Sequence, residues 1–283
     1  MKESLINLKN LSFRYEQQGQ PDIEALHRIN LNISQGEYIA ILGHNGSGKS
    51  TLARHLNALL LPTEGRVLVN GWDTRDSEHT LDIRRTVGMV FQVPDDQIVG
   101  TVVQEDVAFG PENLGLPREE LQERVRWALE TVGLWELREQ PTHLLAGGQK
   151  QLLAVAGTLA LRPACLVLDE ATALLDGQGR ATILSTLEKL HNRGLTIVAI
   201  THLVEEASAA DRVIVLERGR VVLDDTPRRA FSDPERLREL RLDVPEVTAL
   251  ARRLHRHNHR IPPDCLGTEE LAGAILQTVK NRP

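Results

Sequence analysis

The 283-residue chain reads as an α/β protein, a largely parallel sheet covered by helices with an antiparallel β element beside it. Three observations predict this. Continuous apolar runs at 38–42 (YIAIL), 87–91 (VGMVF), 165–168 (CLVL) and 196–200 (TIVAI) suit strands buried on both faces. Helical patterns at 49–59, 119–131, 149–161 and 179–192 lie between them. Segments 5–15 and 65–69 read as strands without intervening helices, which supplies the antiparallel element.

In chain order, each element leads to the next. The run 38–42 ends in a glycine-rich loop that opens the helix 49–59. The run 87–91 ends at Gln92, and 165–168 ends at Asp169 and Glu170. The run 196–200 is followed by Thr201 and His202. At 211–224 (DRVIVLERGRVVLD), two β-rich runs flank an Arg-Gly turn, a hairpin pattern. Beyond it, Pro227, Pro234, Pro245, Pro262 and Pro263 punctuate short helical pieces. Charge divides at the same place: residues 1–224 carry −8 and residues 225–283 carry +2. We therefore expect a body over 1–224 and a small appendix over 225–283.

Composition narrows the function classes. Apolar residues make up 41% and charged residues 25%, which excludes a disordered, collagenous or disulfide-framed chain. A net charge of −6 argues against nucleic acid as a partner. No stretch approaches the roughly 18 apolar residues of a membrane span. The opening MKESLINLKN lacks the apolar core of a secretory signal. Cys165 and Cys265 are accordingly expected as reduced thiols.

The chemistry begins at 43–50, GHNGSGKS, which fits G-x-x-x-x-G-K-[ST] between a buried strand and a helix. Gly43, Gly46 and Gly48 let backbone N–H groups approach phosphates without Cβ clashes, and Asn45 and Ser47 complete the loop. The helix starting near Gly48 presents its positive end. Lys49 supplies a point charge to the outer phosphates, and the Ser50 hydroxyl suits Mg²⁺. A carboxylate at the end of a buried strand is costly without a cation nearby, so Asp169 is the expected Mg²⁺ partner. Glu170 is placed to orient or deprotonate an attacking water. His202 and Gln92 each follow the C-terminal end of a strand, the edge where such sheets bind ligands. His202 fits the γ-phosphate there, and Gln92 fits water and metal.

The segment 142–151 (THLLAGGQKQ), followed by a helix and then LVLDEAT, resembles the nucleotide-binding subunit of an ATP-binding cassette (ABC) transporter. The resemblance covers about residues 5–224. It rests on the glycine loop, Gln92, 145–149, Asp169 and Glu170, Asp176 and His202 in the family's order. It implies a RecA-like P-loop NTPase core, an antiparallel β subdomain, a helical subdomain near 95–160 and a small C-terminal helical extension. It also implies ATP and Mg²⁺ as cofactors, and a dimer in which two ATP molecules are sandwiched head to tail. Each glycine loop would then face Ala146, Gly147, Gly148 and Gln149 of the other subunit, with Asp176 nearby. The resemblance adds Thr51 to the nucleotide contacts and places Tyr15 where the family stacks an aromatic on adenine; the alternative is simple strand packing.

A narrower likeness lies in FQVPDDQIVGTVVQEDVAFGPENLGLP at 91–117, which resembles the ATPases of energy-coupling factor (ECF) transporters, importers of vitamins and transition-metal ions. DEATALLD resembles the first member of their ATPase pair. This implies a second ECF-type ATPase as partner, with a heterodimer favoured over a homodimer. It also implies a transmembrane coupling protein, a substrate-binding membrane protein, and a place on the cytoplasmic face of the membrane. The extension would help hold the ATPases together. Other readings are an ATPase of another ABC transporter, a soluble ABC ATPase of DNA repair or translation, and a low-turnover regulatory nucleotide-binding module. The chain lacks the insertions and tandem cassettes of the soluble ABC ATPases.

Three departures from the family pattern stand out. The signature serine is replaced by Ala146, the basic residue often found after KQ by Leu152, and the proline usual after Asp176 by the start of GQGR. Losing one hydrogen bond to a charged group costs about 1.5–3 kcal/mol, at the partner's site rather than this chain's own. Asp95, Asp96, Glu105 and Asp106 form either a solvated acidic surface or a match for basic coupling helices. The basic run 251–260 carries His255, His257 and His259, which would share one face on a strand. A metal site, a solvated loop, and a patch for an acidic partner or lipid headgroups are its alternative readings.

Overall fold

The computed structural model describes residues 3–16 and 21–280. The chain divides into two compact units, Met1–Tyr38 with Ser50–Ile200, and Ile39–Lys49 with Thr201–Pro283.

The first unit contains a four-stranded antiparallel sheet in the order Ile23–Ser34, Ser4–Tyr15, Glu64–Val69, Trp72–Asp73. Ile6 and Leu8 face the core from one strand, and Ile29, Leu31 and Ile33 from its neighbour. The sequence pattern did not reveal Ile23–Ser34. Its inward residues Leu26 and Ile29 are three apart, because Arg28 sits at φ 45° and shifts the register. That bulge breaks the two-residue alternation a strand normally shows.

The same unit holds three parallel strands, Val87–Val90, Cys165–Asp169 and Thr196–Ile200. Cys165 pairs with Val87 on one side and Thr196 on the other. All fourteen residues are buried, and all but Asp169 and Thr196 are apolar, as strands covered on both faces require. Helices Arg118–Val132, Gly147–Leu159 and Gly177–Asn192 match the expected ones within two residues. The helix beginning at Lys49 ends at Leu56 rather than 59; Ala58 at φ 56° takes the chain out of helix. Helices Thr80–Thr86 and Val103–Asn113 were not foreseen. The second carries Gly110 and Pro111, which read as a break in sequence.

In the second unit, residues 39–42 run parallel to Arg212–Glu217, which forms an antiparallel hairpin with Arg220–Asp225. The turn residues Arg218 and Gly219 both have positive φ, 46° and 74°. That twist matches the flanking strands. Helices Pro227–Ala230, Pro234–Glu239, Glu246–His257 and Thr268–Lys280 follow. Ala251, Ile261, Cys265 and Leu271 make a small core, with Val247, Leu254 and Ile275 packed against it. Arg228 bridges to Asp264 at 3.3 Å and Glu270 at 2.6 Å.

The strand geometry considered for His255, His257 and His259 does not occur, because 246–257 is helical. His255 bonds the Ile261 carbonyl through Nδ1 at 2.7 Å, and its Nε2 lies 3.5 Å from His259 Nδ1. Among the described residues, no group of three or more His, Cys, Asp or Glu is arranged to hold a metal ion. Cys165 and Cys265 are both free and buried. Burial pushes the Cys165 thiol up to about 12. No helix among the described residues is long and apolar enough to cross a membrane.

Candidate functional site

In the second unit the strand ending at Leu42 runs directly into the glycine loop. Gly43 has φ 152°, and a Cβ there would fall 2.4 Å from the Leu216 carbonyl oxygen and 2.6 Å from Ser47 Oγ. Only glycine fits. Lys49 is 4% exposed, and its Nζ donates to the carbonyls of Gly43 at 2.8 Å and His44 at 3.1 Å. The ammonium thus curls the loop around itself. Ser47 is fully buried and its Oγ has no hydrogen-bond partner. The Ser47 carbonyl accepts from Gly219 N at 2.9 Å. Asn45 and Gly46 form the exposed tip. His202 is exposed, immediately after buried Thr201. A loop with a buried cation and an orphaned buried hydroxyl fits an anionic ligand.

The first unit brings together Ser50, Asp169, Gln92 and Glu170 in two pairs. Ser50 Oγ donates to Asp169 Oδ1 at 2.7 Å, and Asp169 is 5% exposed at the end of its strand. A hydroxyl and a buried carboxylate this close form the hard oxygen pair that suits Mg²⁺ and its waters. Gln92 Nε2 donates to Glu170 Oε2 at 3.3 Å. Glu170 itself adopts φ 51°, a strained conformation for a non-glycine residue, held by its N–H bonding the Ile200 carbonyl at 3.0 Å. The left-handed turn redirects the chain at the residue following Asp169.

Tyr15 also lies in this unit, with its Oη 3.1 Å from Thr51 Oγ1. The structure therefore joins two residues that sequence reasoning assigned separately to the nucleotide.

The LAGGQ segment opens the helix Gly147–Leu159. Ala146 is its N-cap and has no side-chain acceptor, so the only side-chain capping bond runs from Ala146 N–H to Gln149 Oε1, at 2.9 Å. Ala146 and Gly147 are exposed, and Gly148 is partly so. Asp176 caps the helix Gly177–Asn192 by accepting from Gly179 N at 2.7 Å. Of the acidic residues after Gln92, Asp95 pairs with Lys150 at 2.6 Å, so its charge is already partly matched. Asp106 is buried, and its Oδ1 accepts from Val99 and Gly100 N–H at 2.8 Å each. Burial pushes this carboxyl up despite those bonds. Asp106 is thus a loop anchor rather than part of a solvated surface.

Sequence reasoning missed the polar ties behind Gln92. Gln151 Nε2 donates to the Phe91 carbonyl at 3.0 Å. Gln97 Oε1 accepts from Phe91 N–H at 3.2 Å, and its Nε2 donates to Thr158 Oγ1 at 3.1 Å. The available signal was Gln151, a polar residue among the apolar positions of a buried helix.

Known proteins are similar to this chain in sequence and in fold. The family model described as ABC transporter matches residues 26–173. The energy-coupling factor transporter ATP-binding protein EcfA1 of Caldanaerobacter subterraneus subsp. tengcongensis is 52% identical over 274 residues, covering 96% of this chain and 99% of its own length. The protein of the same name from Symbiobacterium thermophilum is 56% identical over 254 residues, 89% of this chain and 88% of its own. Among solved structures, cbiO1 of Clostridium perfringens, described as part of the ABC transporter complex cbiONQ, superimposes with a TM-score of 0.76 at 37% identity. It covers 88% of this chain and 99% of that one. A dimeric ATP-binding cassette in a post-hydrolysis state with ADP and Pi gives a TM-score of 0.71 at 32% identity, over 78% of this chain and 98% of that one. The fold is accordingly the RecA-like P-loop cassette, and the chain belongs to the ABC transporter ATP-binding family, among the energy-coupling factor ATPases.

Proposed function

We propose that this chain is the ATP-hydrolysing subunit of an energy-coupling factor importer, driving uptake of a vitamin or transition-metal ion through a separate membrane complex. The observation that carries this reading is the pairing of Ser50 with Asp169 and of Gln92 with Glu170 within one unit. Lys49, now held by two loop carbonyls, exchanges them for outer phosphate oxygens when nucleotide binds. Backbone N–H groups of the 43–50 loop, with Asn45, Gly46, Ser47 and Gly48, cradle the phosphates. Ser50, Asp169 and Gln92 would hold Mg²⁺, which when bound neutralises charge developing on the phosphates. Glu170 orients and accepts a proton from the attacking water, and Gln92 holds its carboxylate in place. His202 steadies the γ-phosphate, and Tyr15 stacks on adenine.

The working assembly in this reading contains a second ECF-type ATPase, a transmembrane coupling protein and a substrate-binding membrane protein. It sits at the cytoplasmic face, with residues 225–283 contributing to the ATPase contact. Residues 146–149 and Asp176 then serve the nucleotide held mainly by the partner. With no hydroxyl at 146, that nucleotide site is the weaker of the two, and Lys49 with Glu170 powers the stronger.

ATPase assays on the chain alone and co-purified with its membrane partners test this. Glu170→Gln should retain ATP binding but lower turnover of the assembly by about 100-fold or more. Unchanged turnover, with the equivalent change in the partner abolishing it, would reverse the assignment of the two sites.

A further inference from the structure

Beside the nucleotide residues lies a buried imidazole that the hydrolytic machinery does not use. His55 is fully buried, and its Nδ1–H donates to the Thr51 carbonyl at 2.7 Å. Its Nε2 is buried and makes no hydrogen bond of ordinary length. Burial holds its pKa below the ordinary histidine value, although the Thr51 carbonyl and, less strongly, the Leu61 backbone oppose this. A leucine here would bury more cheaply, so a buried histidine calls for an explanation.

The surroundings supply one. The His55 ring meets Phe13 edge to face, centroids 4.7 Å apart. Phe13 in turn meets Tyr15 at 4.8 Å and 89°. Tyr15 Oη closes the circuit on Thr51 Oγ1 at 3.1 Å. Two periodicities make this possible. Phe13 and Tyr15 are two apart on one strand face, and Thr51 and His55 are four apart on one helix face. Thr51 is gripped at both ends, its carbonyl by His55 and its hydroxyl by Tyr15.

We propose that His55 is a positioning residue for the base. It fixes the Tyr15 ring through Phe13 from one side and through Thr51 from the other, so that the aromatic face is preset before nucleotide arrives. The benefit of such presetting is that no ring freedom is lost on binding. The proposal rests on the reading of Tyr15 as the adenine platform and adds the group that orients it.

The test compares ATP with inorganic tripolyphosphate, which engages the phosphate loop but has no base. Calorimetry on the full-length chain would use wild type, Tyr15→Ala, His55→Leu and His55→Phe. His55→Leu should weaken ATP about fivefold and leave tripolyphosphate unchanged within about twofold. His55→Phe, which keeps a ring against Phe13 but loses the donor to Thr51, should fall between, and it carries the same comparison should His55→Leu fail to fold. Equal weakening of both ligands, or of neither, overturns the proposal. If Tyr15→Ala lowers the ATP preference and neither His55 variant does, His55 has no part while the adenine platform stands. If Tyr15→Ala itself leaves the preference unchanged, the platform reading falls and the proposal with it.

Discussion

The chain carries two glycine-rich segments at helix starts, and they are built in opposite ways. The 43–49 loop is closed on itself. Its lysine is buried against its own carbonyls, and Gly43 has no room for a Cβ. The 146–149 segment is open. Its N-cap has no side-chain acceptor, Ala146 and Gly147 face solvent, and a Cβ on Gly147 would meet nothing within 4 Å. A closed loop is preorganised for its ligand by the chain that carries it. An open one makes few demands on its own chain, and what constrains it lies in whatever it faces. The two segments look alike as strings of glycine, yet only the first is fixed by local sterics.

Substitutions can break that comparison. The largest expected effect is on chemistry. Lys49→Ala should cut phosphate release by about 100-fold or more, since one preorganised charge at a phosphoryl site contributes on this scale. Near-normal turnover would remove the phosphate-loop assignment altogether.

Next comes one substitution made in both segments. Gly43→Ala forces a Cβ onto the Leu216 carbonyl in a backbone conformation alanine avoids, and should cost about 1–3 kcal/mol in thermal or denaturant unfolding. Gly147→Ala lies in the first turn of a helix with open space around it, and should be neutral or stabilise by up to about 1 kcal/mol. Equal losses at the two positions would show that the contrast between closed and open is wrong.

Ala146→Ser sharpens the open end. A serine there gives the helix a side-chain acceptor at its N-cap, worth about 0.5–2 kcal/mol, visible as a higher unfolding midpoint. With the partner ATPase present, turnover at the partner's site should also rise. No gain in either would mean that Gln149 already satisfies the helix start.

The smallest effect is a pH dependence on the helix that continues the closed loop. His55 is neutral when folded and its pKa is depressed by burial. Both states are neutral above about pH 6.5, so the full stability is present there. As pH falls below that value, the unfolded chain takes up a proton that the folded chain resists, and stability declines toward the folded pKa. His55→Leu should therefore flatten the loss of wild-type stability as pH falls below about 6.5. Parallel curves for the two proteins would place the imidazole in contact with solvent.

Much of the fold was legible because its signals are local and strong. Parallel strands buried on both faces have to be largely apolar, so 38–42, 165–168 and 196–200 stand out. Ile23–Ser34 was hidden by a single bulge, and Val103–Asn113 by a glycine and a proline that the helix accommodates. The site followed the same rule. Lys49, Ser50, Asp169 and Glu170 sit at fixed offsets from strand ends, where chemistry dictates residue type. Gln151, Gln97, Asp106 and His55 gave little signal, because a polar residue's role is ambiguous until its partners are known.

The sequence alone determined the phosphate loop, the acidic strand end, the family's order of motifs and the alternation of strands and helices. Each is written in residues close together in the chain, where spacing and residue type suffice. Only the tertiary structure decided that Ser50 meets Asp169, that Gln92 meets Glu170, that Asp106 is an anchor, and that His55 and Tyr15 grip Thr51 from opposite ends. The Ser50–Asp169, Gln92–Glu170 and Tyr15–Thr51 contacts join residues far apart in sequence, whereas Asp106 and His55 bond within their own stretch of chain. The distant partners meet only once the chain has folded and brought separate elements side by side.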